Sequence, residues 1–251
     1  MRVMQVVVST DGFRTEPGNA CRSAVFANLL EEAVDRQSDL LLLPGGYWTV
    51  PRKVDIEPLL ERISKKLRQA AKKQKVWIIA GIDLAAAKQA KSKTTSKHHR
   101  KGALPYFAFA MSPTGKRLGL WQQLTTTSAN AVRVKKLNVA ERTVDVNGNK
   151  VLALICGEMH NKYFRESLKG QGLDLICVCG HSGFTRVLRS ITAISQRSHC
   201  PVLHVQHLRT WGTTLIQMVS GRGSPDQKQV AANRCIYKTG SPWVSRCVRR
   251  I

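Results

Sequence analysis

Cys156 closes an apolar run, Val151–Cys156, and His181 follows a second one, LDLICVCG at 173–180. A cysteine thiol has a pKa of about 8.5, so it needs a base or a nearby cation to be mostly thiolate at neutral pH. If the two runs are neighbouring strands, His181 stands at the C-terminal end of the strand beside the one that ends at Cys156. Ligands of α/β sheets gather at such ends. A Cys156–His181 pair, with Glu158 or His160 near, would be a nucleophile with its own base. The plainer reading makes His181 a polar loop residue, one of seven histidines in the chain.

Other residues carry less chemistry. There is no CxxC pair. Cys177 and Cys179 are assigned to opposite faces of a strand and are not expected to share a metal, while Cys21 and Cys200 read as small buried hydrophobes. GRGS at 221–224 lacks the lysine and the strand–helix setting of a phosphate loop and reads as a turn. Trp48 either lines a pocket or packs, and Trp121 reads as core. No metal or cofactor is expected.

The elements that must hold Cys156 and His181 follow from periodicity and turn residues. Buried strands are expected at Gln5–Ser9, at 40–43 before Pro44-Gly45-Gly46, at 76–82 and at 173–179. Helices are expected over Ala20–Gln37, with Ala24, Ala27, Leu30 and Ala33 on one face, and over Ile56–Gln74, with Leu59, Leu60, Ile63 and Leu67 inward. Shorter helices are expected at Tyr163–Lys169 and Phe184–Arg197. Tyr106–Met111 with Arg117–Gln122 forms one hairpin, and Val144–Val146 with Val151–Cys156 another, turned by Asn147-Gly148. Val202–Val205, Thr213–Met218 and Gln229–Ala232 are further strands. Strands alternating with helices, without repeats or a clear linker, define one α/β domain spanning 1–251.

The chain has 251 residues, 43% of them hydrophobic, enough to build a core and to exclude disorder as its general state. No apolar run approaches the roughly 20 residues of a membrane helix. The N-terminal apolar run is too short for a secretory signal. Seven scattered cysteines argue for a reducing, cytoplasmic setting. With 40 Lys+Arg against 16 Asp+Glu, the net charge is +24. It is concentrated in a loop at about 86–104, densest at 87–102, and in an acid-free C-terminus from Gln227. These segments would attract a polyanion such as nucleic acid, although no base-stacking aromatic accompanies the loop.

Taken together, DLLLLP at 39–44, WIIAGI at 77–82, PYFAFAMSPTGKRLGLWQQL at 105–124 and VLALICGEMHNKYFRESLKGQGLDLICV at 151–178 resemble the carbon–nitrogen hydrolase (nitrilase) superfamily. The resemblance runs over nearly the whole chain. It implies an α-β-β-α sandwich that pairs through its helices into a homodimer. It also implies amide or nitrile chemistry by a Glu–Lys–Cys triad, in which the glutamate is the base, the lysine stabilises the tetrahedral intermediate and the cysteine forms a thioester.

Cys156 stands at the nucleophile position. Gly45 stands where the family has its glutamate and Gln123 where it has its lysine, and Glu158 replaces an aspartate two residues after the cysteine. The resemblance therefore implies the fold with an incomplete triad. The expectation is a pseudoenzyme serving as a binding or assembly module. The alternatives are a divergent amidase using Cys156 with His181, and a basic nucleic-acid-associated protein.

Overall fold

A computed structural model describes residues 1–9, 18–51, 55–85, 104–125, 136–181, 185–208, 214–219, 225–230 and 244–251. The basic loop expected at about 86–104 lies, but for Leu104, outside the described residues, as do GRGS 221–224 and residues 231–243. No helix among the described residues is long and apolar enough to cross a membrane.

Two sheets stack face to face and each carries helices on its outer side. The first sheet has eight strands. Its path runs β11 (His207–Leu208), β1 (Arg2–Ser9), β2 (Leu40–Leu42), β4 (Trp77–Ala85), β5 (Tyr106–Met111) and β6 (Arg117–Gln122). β3 (Trp48–Pro51) adds to β4, and β14 (Val244–Arg250) runs antiparallel along β1 from Arg2 to Val8. The second sheet is ordered β13 (Pro225–Val230), β12 (Thr214–Val219), β10 (Val202–Val205), β9 (Leu175–Cys179), β8 (Asn149–Ile155) and β7 (Thr143–Val146).

Period-two alternation divides the core into layers. Val3, Leu40, Leu42, Ile79 and Ala108 of the first sheet meet Val151, Ala153, Ile155, Cys177, Cys179 and Leu203 of the second. The opposite face of the first sheet, with Met4, Leu41 and Ile78, is covered by α1 (Gly18–Asp35) and α2 (Glu57–Ala70). The opposite face of the second, with Leu152, Leu154 and Val178, is covered by α4 (Lys162–Ser167) and α5 (Thr185–Ser198). This is the expected α-β-β-α sandwich. Each buried Leu, Ile or Val contributes about 1.5–3 kcal/mol.

Local chemistry explains the elements closest to the site. α2 starts beside Pro58 in its first turn and buries Leu59, Leu60, Ile63 and Leu67, as its spacing requires. Asn147 and Gly148 take φ of 54° and 79°, the left-handed pair that a two-residue hairpin turn demands. α3 (Val139–Arg142) is capped by Asn138, whose side chain accepts from the Glu141 N–H.

Four expectations need correction. Cys177 and Cys179 both point into the space between the sheets, as residues two apart on a strand must, and not to opposite faces. The buried face of α1 is Val25, Phe26, Leu29, Leu30 and Ala33, whereas Ala24 is exposed and Ala27 half-buried, because the larger side chains take the core. β13 begins at Pro225, earlier than the strand placed at Gln229–Ala232, whose last two residues lie outside the described ones. The end of the basic C-terminus, read as a segment to attract a polyanion, is built into the fold: Val244–Arg250 is sheet, and Arg249 is buried with Nε donating to Gln5 Oε1 at 2.7 Å.

Candidate active site around Cys156

Cys156 directly follows β8 and opens a 3-10 turn over Cys156–His160. Its φ is +38°, a backbone conformation few side chains adopt. A nucleophile placed at a strained strand-to-helix turn is held proud of its sheet. Cys156 is half-buried and packs against the inter-sheet core. One strand over, β9 runs parallel to β8 with Ile155 opposite Cys179, which brings Gly180 and His181 out beside Cys156. The juxtaposition expected from the two apolar runs is therefore present.

His181 has several partners. Its Nε2 lies 2.7 Å from Oδ1 of Asp83. Burial pulls its pKa down, but hydrogen bonding and charge from Asp83 and Cys156 outweigh that and raise it to about 10. The ring of Tyr106 lies 4.6 Å away, centroid to centroid, tilted by 55°. Asp83 reaches the site from β4 of the opposite sheet. The sequence reading missed it. The signal available was an acid near the end of a buried strand, the last before the acid-free stretch that starts at Leu84.

Gly45 sits directly beneath the imidazole. A β-carbon there would lie 2.7 Å from Cε1 and 2.9 Å from Nδ1 of His181. The Gly45 N–H donates to the Gly180 carbonyl at 3.0 Å, joining the Pro44 turn to the end of β9 across the sheets. Gly46, at φ +63°, lies so close to Asp83 that its β-carbon would meet Oδ2 at 2.5 Å. Gly81 of β4 packs its Cα side against Gly45 with no room for a side chain. Three glycines thus let the turn, Asp83 and His181 converge.

Gln123 is buried just past β6, and its Nε2 donates to the Thr125 carbonyl at 2.6 Å. Glu158, proposed from sequence as a helper to the dyad, is fully buried and engaged elsewhere. Oε2 accepts from Arg142 Nη1 at 2.7 Å and from the Ile155 N–H at 2.9 Å, and Oε1 accepts from the Leu124 N–H at 2.8 Å. Burial pushes its carboxyl pKa up, against the pull of Arg142 and the two backbone donors. Arg142 Nη2 also donates to the Gln122 carbonyl at 2.8 Å. Glu158 and Arg142 therefore clamp the end of β6 to the turn that carries Cys156. His160 is also turned aside, its Nδ1 2.7 Å from Ser190 Oγ.

Trp48 is wholly buried between α1 and the outer face of the first sheet, 5.3 Å from Phe26 and 4.5 Å from Tyr47, so it packs and lines no site around Cys156. Trp121 packs at the inter-sheet core and donates Nε1 to the Glu141 carbonyl at 2.7 Å. Among the described residues no group of three or more His, Cys, Asp or Glu side chains is arranged to hold a metal.

The sandwich agrees with comparisons to known proteins. The profile of the carbon–nitrogen hydrolase family matches residues 24–230. The chain belongs to that family. Among solved structures, the NitN amidase of Neterenkonia sp. AN1 is similar with a TM-score of 0.66 at 12% identity, covering 100% of this chain and 92% of that one. A variant of the Nesterenkonia sp. AN1 amidase with acrylamide added at its active-site cysteine gives 0.63 at 13%, covering 100% and 93%. XC1258 of Xanthomonas campestris, a CN-hydrolase superfamily protein with an arsenic adduct in its active site, gives 0.62 at 14%, covering 98% and 89%. No curated protein matches in sequence.

Proposed function

We propose that the protein is a divergent amide hydrolase in which Cys156 is the nucleophile, His181 its proton carrier and Asp83 the group that orients the imidazole. The observation that carries this reading is the 2.7 Å His181–Asp83 bond made by a ring that also interacts with Cys156. With Nε2–H directed at Asp83, Nδ1 exchanges the proton with the thiol. A pKa near 10 keeps His181 protonated at neutral pH, which sets an imidazolium beside the sulfur. The imidazolium also brings positive charge to a site where Gln123 brings none.

In the reaction the thiolate attacks the amide carbonyl carbon, forming a C–S bond and an oxyanion. The oxyanion collapses, the C–N bond breaks, and the amine leaves with the proton from His181. His181, now neutral, takes a proton from water as the water attacks the thioester. The C–S bond then breaks to release the acid and free the sulfur beside the reprotonated imidazole.

A panel of short aliphatic amides, followed by ammonia release, tests the proposal. Turnover that is lost in Cys156→Ala and falls by about 10²–10⁴ in His181→Ala supports it. Turnover that survives Cys156→Ala, or no turnover with any amide, refutes it. The second reading, a fold kept for binding alone, is favoured by Gly45 and by a Gln123 amide already bonded to Thr125. It corresponds to the result with no turnover.

A further inference from the structure

We infer that the solvent face of α2 binds the phosphate backbone of a nucleic acid. Between Arg62 and Ile82 the chain has seven cations and no acid. Arg62, Lys65, Lys72, Lys73 and Lys75 are exposed and Lys66 is half-buried, all on or just beyond α2. Glu57, in the first turn of α2, pairs with Arg117. Among the described residues none of these six cations forms an ion pair.

Two ordinary explanations fall short. Cations complement the negative end of a helix only within its last turn, which suits Arg68 and the lysines after it but not Arg62 or Lys65. A merely solvated face would carry mixed signs. Exposed Glu61 gives Lys65 one favourable neighbour, but from Arg62 onward the pairs one turn apart, Arg62 with Lys65 and Lys66 and Arg68 with Lys72, are all like-charged and destabilise a helix. A polyanion would relieve that repulsion.

The shape of the patch selects the partner. α2 is 14 residues long, roughly 21 Å, and its cations recur about once per 5.4 Å turn. Glu31 and Asp35 of α1 line the groove shared with Lys66 and Lys73, which confines the positive charge to a narrow ridge. A ridge bounded by acids matches a line of phosphates better than a flat anionic membrane. The exposed large apolar side chains among the described residues are Leu118 and Leu124, both off this ridge, so no wedge for lipid insertion accompanies it. No aromatic stands on the ridge, so binding would be independent of base sequence.

The test uses the full chain and a fluorescent 20-base-pair duplex of arbitrary sequence, read by anisotropy across a salt series. Binding should weaken with salt with a log–log slope of about −3 to −5, and Lys65→Gln with Lys72→Gln should reduce that slope by about two. Lys162→Gln, on the other helical layer, should leave it unchanged, and so should Cys156→Ala, which separates this result from the fate of the amidase reading. The inference is overturned if the double variant binds like the parent or if Lys162→Gln loses as much. It is also overturned if glutamine at Lys91, Lys93 and Lys97 abolishes all binding while the α2 variants change nothing, or if phosphatidylserine vesicles are bound and the duplex is not. Circular dichroism of each variant confirms that the fold is retained.

Discussion

The imidazole of His181 fills the space into which a side chain at position 45 would grow, with Cε1 2.7 Å and Nδ1 2.9 Å from a β-carbon on Gly45. The absence of a carboxylate in the Pro44 turn and the presence of a histidine at the end of β9 are therefore one arrangement. Each excludes the side chain the other would need.

Gly45→Glu should not restore a family-type base. The added atoms must push His181 from its place between Asp83 and Cys156, and the Val205–Gly180 backbone bond leaves β9 little freedom to follow. Alkylation of Cys156 by iodoacetamide at pH 7 should slow by about tenfold or more, since the thiolate loses its cation. Gly45→Ala should show the same direction with a smaller loss. An unchanged rate in both variants contradicts the geometry.

Asp83→Asn removes the charge, and weakens the acceptor, that lift the His181 pKa towards 10. The pKa should fall, because burial, which opposes protonation, is then less strongly countered. Histidine NMR titration would show the downward shift directly. Alkylation at neutral pH should slow in the same variant.

Glu158→Ala should destabilise the fold. It leaves Arg142 buried without its carboxylate and releases the N–H groups of Ile155 and Leu124. Breaking such a buried pair costs about 3–5 kcal/mol. In a chain of this size that corresponds to a drop in Tm of roughly 10 °C. A loss under about 1 kcal/mol by urea denaturation would show that the clamp contributes little.

Stability should decline on both sides of a maximum near pH 6.5. His181 is raised to about 10, so the folded state holds its proton more tightly; that contribution is complete below the unfolded pKa and fades as pH rises from about 6.5 to 10. His204 behaves oppositely. It is fully buried, neither ring nitrogen has a hydrogen-bond partner among the described residues, and burial, with the charge of His160, lowers its pKa to about 3. The unfolded chain then takes the extra proton, so stability falls as pH drops from about 6.5 to 3. Each group contributes a slope of about 1 kcal/mol per pH unit within its window. His204→Phe should flatten the acid limb alone, and chemical denaturation at several pH values would reveal it.

The parts of the fold governed by local pattern were legible in the sequence. Leu59, Leu60, Ile63 and Leu67 mark the inward face of α2, Asn147-Gly148 dictates its hairpin, and the runs ending at Cys156 and Cys179 are the neighbouring strands they promised to be. What local pattern cannot carry was missed. β14 is rich in arginine and reads as tail, because its burial comes from pairing with β1 some 240 residues away. Asp83 is one acid on one strand until the two sheets stack and bring it to His181. Glu158 looks like a spare base until Arg142 and two backbone N–H groups occupy it.

The pairing of β14 with β1 also bears on how the protein comes into being. Synthesis proceeds from the N-terminus, so the first strand emerges long before its antiparallel neighbour exists. Until residues 244–250 leave the ribosome, the valine-rich stretch from Val3 to Val8 has an open flank, the kind of surface on which nascent chains stick to one another. Closure of the first sheet is thus a late, long-range event that waits on the pairing of Val244–Arg250.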